Sequence, residues 1–299
     1  MPLSAPDTSQ NVLSLFSLKE KVVIVTGSSR GIGLHAAKGI AEAGGDVRFI
    51  IALCFMVSTV FTQIRKDFGK VDVVIANSGV CMHVSALDTT VAQWMRIQNV
   101  NYNGAFYTAQ AAGKIFKEQG FGNLIFTASI SGSIVNIPQP QAAYNASKAG
   151  VIQLAKSLAM EWIDFARVNI ISPGYIATDM VSSVKKEWRD KWHEVIPAER
   201  MADPAELKGS FVFLASDASS YITGHNLVVD VRFNSFKKRW LLRICKSLDE
   251  LRRVATCNLW QRLSTCSLYF IIIIGHKSYL SLKNDDQSSE ESTGKSGVH

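Results

Sequence analysis

Lys21–Gly33 reads KVVIVTGSSRGIG, and this stretch decides the fold. Its first six residues form a short β-branched run, the mark of a strand buried on both faces of a parallel sheet. TGSSRGIG, Thr26–Gly33, follows at once and leads into a helical segment from about Ile32 to Ala43 that Gly44-Gly45 stops. Strand, glycine-rich turn and helix in that order are the context in which such a turn binds a dinucleotide. The glycines let backbone approach a pyrophosphate, and the positive end of the helix favours its charge. Gly27, Ser29, Arg30, Gly31, Ile32 and Gly33 are therefore the candidate phosphate-binding residues. An acid that binds the adenosine ribose is expected about 20 residues further on. That position falls near Ala52 or Leu53, and no Asp or Glu lies between Val47 and Lys66. Arg30 sits inside the turn instead, where a guanidinium can pair with a 2′-phosphate. Both points favour NADP(H).

Outward from this stretch, strand and helix signals alternate. Val71–Ala76 reads as a strand ending in the turn Asn77-Ser78-Gly79, and Ala86–Gln119 as mostly helical. Leu124–Ala128 is a strand, Gln141–Phe165 a long helix, and Val168–Ser172 a strand closed by Pro173-Gly174. Helical stretches surround Val181–Trp192 and Pro204–Leu214, and Asn226–Asp230 is a last strand. The alternation implies an α/β fold with a doubly wound parallel sheet, the Rossmann type. The expected layout is a flexible arm over 1–17, one domain over 18–230 and an atypical tail over 231–299.

The chain has 299 residues, 47% apolar and 19% charged, which suits a globular protein with a sizeable core. A net charge of +7 could indicate nucleic acid or a membrane surface. Its distribution argues otherwise. Arg232–His299 holds 12 Lys/Arg against 6 Asp/Glu, a balance of +6 that leaves about +1 for the first 231 residues. No nucleic-acid or membrane partner is expected of the domain. Cys54, Cys81, Cys245, Cys257 and Cys266 form no CxxC pair, which argues for free thiols rather than disulfides or a zinc site. No metal site is expected. No secretory signal is read at the N-terminus. The apolar runs Phe49–Phe61 and Leu268–Ile274 are too short to span a bilayer. The expectation is a soluble, cytoplasmic protein.

A second constellation lies further along. Tyr144 and Lys148, in YNASK, stand at i and i+4 and share one helix face. Ser131 lies 13 residues before Tyr144, just past a strand end, where open α/β sheets place their ligand crevice. Ser129 is the competing serine, and Asn101 lies in NYNG on an earlier helix. These types suit carbonyl reduction, which needs a proton donor as hydride arrives. A phenol, with a pKa near 10, is a poor acid at neutral pH. A nearby ammonium stabilises the phenolate and lowers that value. The pair then works as an acid in reduction and a base in oxidation. A serine hydroxyl can hold and polarise the substrate oxygen.

TGSSRGIG, NSG at 77–79, NYNG at 101–104, SISG at 129–132, YNASK and PGYIAT at 173–178 together resemble the short-chain dehydrogenase/reductase family, over roughly residues 18–230. The resemblance implies Tyr144 as catalytic acid/base, with Lys148 as its electrostatic partner and a ribose ligand. It implies Ser131 as ligand of the substrate oxygen, its spacing fitting the family better than that of Ser129. Asn101 would support a proton-relay water. Asn77 and Gly79 would lie beside the adenosine. Ile176 and Thr178 would contact the nicotinamide carboxamide, with Pro173 and Gly174 in the same cofactor-binding turn. Longer runs, such as IFTASISGSIVNIPQPQAAYNASKAGVIQLAKSLAMEW, are similar to fungal NADP-dependent polyol (mannitol) dehydrogenases and to sorbose and xylulose reductases. That likeness implies a sugar or polyol substrate and a homotetramer formed through the helices carrying Asn101 and Tyr144. A different carbonyl, such as a 3-oxoacyl thioester, would use the same residues.

Two regions depart from the family pattern. Only 44 positions separate Gly33 from Asn77, where three helices and three strands of average length take roughly 68 residues. One helix before Gly44, one strand in Val47–Phe55 and one helix in Ser58–Phe68 can be placed. A strand and a helix of the cofactor half are thus expected to be absent, leaving an exposed sheet edge. The second departure is the tail, which ends in DDQSSEESTGKSGVH and reads as disordered. It is either an appended binding segment or a gene-model artefact, and the shortened cofactor half favours the artefact. The alternative to an active reductase is accordingly an impaired or unstable isoform.

Overall fold

Short runs rich in Val and Ile form most of the strands. In the computed structural model of the chain, which describes residues 9–50, 57–182 and 184–231, the strands are β1 (Val22–Thr26), β2 (Asp46–Ile50), β3 (Val73–Ala76), β4 (Asn123–Thr127), β5 (Arg167–Pro173) and β6 (Asn226–Val229). They pair in the order β2-β1-β3-β4-β5-β6, and every pair is parallel. Parallel neighbours need long crossovers, which helices supply. These are α1 (Gly31–Glu42), α2 (Val57–Phe68), α3 (Val91–Gln98), α4 (Gly104–Gln119), α5 (Ala142–Glu161), α6 (Asp179–Ser182), α7 (Lys186–Val195) and α8 (Lys208–Ala215). The doubly wound parallel sheet expected from the sequence is therefore the fold.

Successive residues of a strand face opposite sides. Val22, Ile24, Val74, Leu124, Phe126 and Val168 pack on one side with Phe61, Ala112, Phe116 and Ala155, from α2, α4 and α5. Val23, Val25, Ile75, Ile125 and Ile171 pack on the other with Ile40, Phe211 and Leu214, from α1 and α8. Both faces are covered, so the strands carry continuous apolar runs rather than an alternation. Arg167 is a charged residue buried within a strand. Its guanidinium donates to Ser219 Oγ and to the carbonyls of Leu214, Ser216 and Ile222, tying β5 to the segment after α8.

Several boundaries differ from the sequence reading. Ala86–Gln119, read as mostly helical, holds two helices. α3 starts on a capping box in which Thr90 and Gln93 exchange hydrogen bonds, and a π-turn, Asn99–Asn103, joins it to α4. Such turns are frequent at functional sites, and this one carries Asn101 inward, 1% exposed. Val181–Trp192 is likewise split between α6 and α7, and Pro204–Leu207 is a 3-10 turn ahead of α8. Between α1 and β3 the described residues hold β2 and α2. Phe16 meets Phe213 of α8 with ring centroids 6.2 Å apart, which ties the described end of the N-terminal arm to the domain. No described helix is long and apolar enough to cross a membrane. The expectations for Cys54, Cys245, Cys257, Cys266, the middle of the run Phe49–Phe61, the run Leu268–Ile274 and the tail beyond Val231 lie outside the described residues.

The strand order reverses between β1 and β3. Crossovers leave in opposite directions there, which opens a crevice at the carboxyl ends of the strands.

Candidate active site

The crevice begins at the glycine turn. β1 ends at Thr26, and Gly27 takes φ +64°, a left-handed conformation that side chains disfavour. Gly33 is required for space instead. A Cβ there would lie 2.4 Å from both Gly27 O and Asn77 Nδ2. Asn77, just past β3, explains the closeness: its Nδ2 donates to Thr26 O at 3.0 Å and Gly27 O at 3.1 Å. Its backbone N–H donates to Thr26 Oγ1 at 3.0 Å. α1 then starts without a side-chain cap and without an acid in its first turn. Its positive end is thus left for an anion, as a pyrophosphate requires. Ser29 and Arg30 are exposed at the rim. Arg30 Nη1 lies 3.4 Å from Asp179 Oδ2, with the two side chains 73% and 70% exposed. A pair so exposed is weak, so the guanidinium is available to an incoming phosphate. Thr178 lies against Gly31, its Cγ2 3.4 Å from where a Cβ at 31 would be. These features fit a dinucleotide.

The crevice continues to Tyr144 and Lys148 on the first turns of α5. Lys148 is buried and donates from Nζ to Thr127 O at 2.7 Å, at the end of β4. Its Nζ lies 5.8 Å from the centre of the Tyr144 ring. Asn101 closes this side. It accepts from Val80 N at 2.8 Å and donates to Val80 O at 2.9 Å and to Ser147 Oγ at 3.0 Å. A Cβ at Gly79 would lie 3.5 Å from both Asn101 Oδ1 and Lys148 Nζ, so Gly79 borders the same spot.

Two observations concern the serines and the tyrosine. Ser129, not Ser131, hydrogen-bonds the Tyr144 phenol. Ser129 is extended, at φ −171°, and continues the line of β4; Ser131 lies in the 3-10 turn Ile130–Gly132. Ser131 Oγ donates instead to Asn136 Oδ1 at 2.6 Å and accepts from Ser129 Oγ at 3.1 Å and from Gln141 Nε2 at 3.2 Å. Counting residues back from Tyr144 cannot detect such a turn. The phenol is also not lowered, as the lysine was expected to make it. Burial pushes it up, the Cys81 thiol adds to this, and the Ser129 hydrogen bond only opposes them. Burial also brings Lys148 down to about 8, against a smaller upward effect of Cys81.

An open cleft joins the two ends. Ile32, Pro173, Gly174, Ile176 and Thr178 line it from the cofactor side, and Ser129, Ser131 and Tyr144 from the other. Asn136, Gln139, Gln141, His83, Tyr175 and Trp192 also line it, and the sequence reading did not single them out. The density of amides in NIPQPQ, residues 136–141, was the available signal.

Comparisons with known proteins identify relatives of the chain. A family model described as enoyl-(acyl carrier protein) reductase matches residues 56–233. The chain is 44% identical to an NADP-dependent mannitol dehydrogenase of Alternaria alternata, over 77% of this chain and 98% of the relative. It is 43% identical to a sorbose reductase of Candida albicans, over 77% of this chain and 92% of the relative. Among solved structures, an NADPH-dependent 3-quinuclidinone reductase from Rhodotorula rubra is 38% identical, with a TM-score of 0.73 over 77% of this chain and 97% of that one. With its glycine turn, its Tyr144–Lys148 pair and relatives matched over nearly their whole length, the chain belongs to the short-chain dehydrogenase/reductase family.

Proposed function

We propose that this protein transfers hydride between NADP(H) and a ketose or polyol. The observation that carries the reading is Tyr144, hydrogen-bonded to Ser129 and with Lys148 near its ring, in a cleft that runs to an uncapped glycine turn. When bound, the nicotinamide supplies hydride to a carbonyl carbon or accepts it from a secondary alcohol. In reduction, Tyr144 gives its proton to the carbonyl oxygen and is re-protonated from solvent. A phenol held protonated by burial suits that direction. Lys148, fixed by Thr127 O, stabilises the phenolate left behind. Ser129 takes the oxygen-holding role expected of Ser131. Gly27, Ser29, Arg30, Gly31, Ile32 and Gly33 hold the phosphates, and Asn77 and Gly79 flank the adenosine side. Pro173, Gly174, Ile176 and Thr178 border the nicotinamide.

The relatives named for mannitol and sorbose support a sugar or polyol over a thioester. The shortened stretch between Gly33 and Asn77 removes part of the adenine side, so cofactor binding rests more heavily on the glycine turn and Arg30. In this reading the protein works in the cytoplasm as a homotetramer. Exposed Phe106, Tyr107 and Met160, on α4 and α5, support an interface there.

The test is NADPH oxidation by the full chain with fructose, sorbose and xylulose, beside Tyr144→Phe. Ketose-dependent turnover that falls about 10²–10⁴-fold in the variant is the expected result. A folded chain that turns over none of them overturns the reading and favours an impaired isoform.

A further inference from the structure

Following the side-chain hydrogen bonds of the cleft from one fixed donor leaves two groups over. The Trp192 indole can only donate, and it gives to Gln139 Oε1 at 2.8 Å. Gln139 therefore turns its Nε2 to Tyr175 Oη at 3.2 Å, which also accepts from Asn136 Nδ2 at 3.1 Å. Asn136 Oδ1 is then the acceptor for Ser131 Oγ at 2.6 Å and Gln141 Nε2 at 3.3 Å. Gln141 Nε2 donates further to Ser131 Oγ at 3.2 Å and Asn145 Oδ1 at 2.9 Å, so that nitrogen is fully used. Among the described residues its Oε1 has only the Cys81 thiol as a partner, 4.0 Å away, and a thiol is a weak donor. Gln141 is nonetheless 7% exposed.

The second group is His83 Nδ1, a buried atom with no hydrogen-bond partner among the described residues. The ring stands edge-on to Trp188, with centroids 5.7 Å apart, which fixes its orientation. Burial lowers its pKa, so the imidazole is neutral at neutral pH. A neutral ring nitrogen gives or takes one hydrogen bond, and a hydroxyl can be the partner in either case. Both residues line the cleft that holds Tyr144. Buried polar atoms are normally paired; among the described residues His83 Nδ1 has no partner and Gln141 Oε1 only a weak one.

We infer that Gln141 Oε1 and His83 Nδ1 read hydroxyl groups of the substrate while Tyr144 and Ser129 hold its carbonyl oxygen. The inference rests on the hydride-transfer reading and deepens it by naming the residues that set the substrate class. A hydroxylated carbonyl compound supplies both missing partners. An unhydroxylated ketone leaves both unpaired, and sites built around hydroxyl partners discriminate strongly against analogues that lack them.

The test compares NADPH-dependent reduction of xylulose and of 2-pentanone, ketones of equal carbon number, by wild type, Gln141→Leu and His83→Phe. Each variant should lose about tenfold or more in kcat/KM for xylulose and stay within about twofold for 2-pentanone. His83→Phe keeps a ring on Trp188, so it serves if Gln141→Leu disturbs the amide network. The ratio between the two substrates cancels any loss of folded protein. Equal falls on both substrates, or no fall on either, overturn the inference. Wild type that reduces 2-pentanone but not xylulose also overturns it and leaves hydride transfer standing. Wild type that reduces neither overturns the reading on which it rests.

Discussion

The glycine-turn end of the crevice offers backbone N–H groups, one exposed arginine, and room kept clear at Gly27 and Gly33. The Tyr144 end offers buried side chains, most of them tied to a neighbour: Lys148 to Thr127 O, Ser131 to Asn136, Trp192 to Gln139. One end is defined by atoms that are missing and the other by partners that are present. The cofactor end should therefore fail when an atom is added, and the catalytic end when one is removed.

Removal at the catalytic end should have the largest effect, and it also separates the two serines. Ser129→Ala should lower kcat about 10²–10³-fold, the usual loss of one oxygen-holding donor. Ser131→Ala should cost about tenfold or less, because its hydroxyl bonds Asn136 and Gln141 rather than the phenol. Steady-state kinetics of both variants decide the matter, and the reverse order would restore Ser131 to the role that its spacing suggested.

Addition is the matching experiment at the other end. A Cβ at residue 33 would meet Gly27 O, a backbone atom that cannot swing aside, at 2.4 Å. Gly33→Ala should thus destabilise the fold by about 1–3 kcal/mol, the range for overpacking a tight site. It should also weaken NADPH binding, so the stabilisation conferred by NADPH in a thermal melt should shrink. A variant that melts and binds like wild type would mean that the turn has slack.

A titration probes the catalytic end without mutation. Lys148 has a pKa of about 8, so the ammonium is present below that pH and lost above it. Tyr144 is pushed up and keeps its proton through the same range. The kcat/KM for reduction should hold below about pH 8 and then fall, by about tenfold per unit. A profile flat to about pH 10 would return the lysine to its ordinary range.

The same contrast explains what was legible in the sequence. Val22–Thr26 followed by glycines can be read, because β-branched runs and glycine turns are local signals. Tyr144 and Lys148 can be read because four residues make one helical turn. The competition between Ser129 and Ser131 cannot be decided that way, since it depends on a 3-10 turn that residue counts do not register. The π-turn at Asn99–Asn103 is hidden for a similar reason, because NVNYNG continues the helix without a breaker. The sign of the Tyr144 shift was missed because sequence shows the lysine but not the burial that outweighs it.

The smallest effect should come from Arg30, and it tests whether the cofactor end selects the 2′-phosphate. Its pair with Asp179 is exposed on both sides, so Arg30→Ala should leave the melting temperature unchanged. The guanidinium would meet a 2′-phosphate in the same open setting, where a charged hydrogen bond is strong but screened by salt. KM for NADPH should therefore rise about three- to tenfold at low ionic strength, and less at high salt. KM for NADH should not change, because NADH has no 2′-phosphate. If both cofactors weaken equally, Arg30 acts by shaping the turn. If neither does, selection for the phosphate lies elsewhere along the crevice, and the openness of this end reflects access rather than recognition.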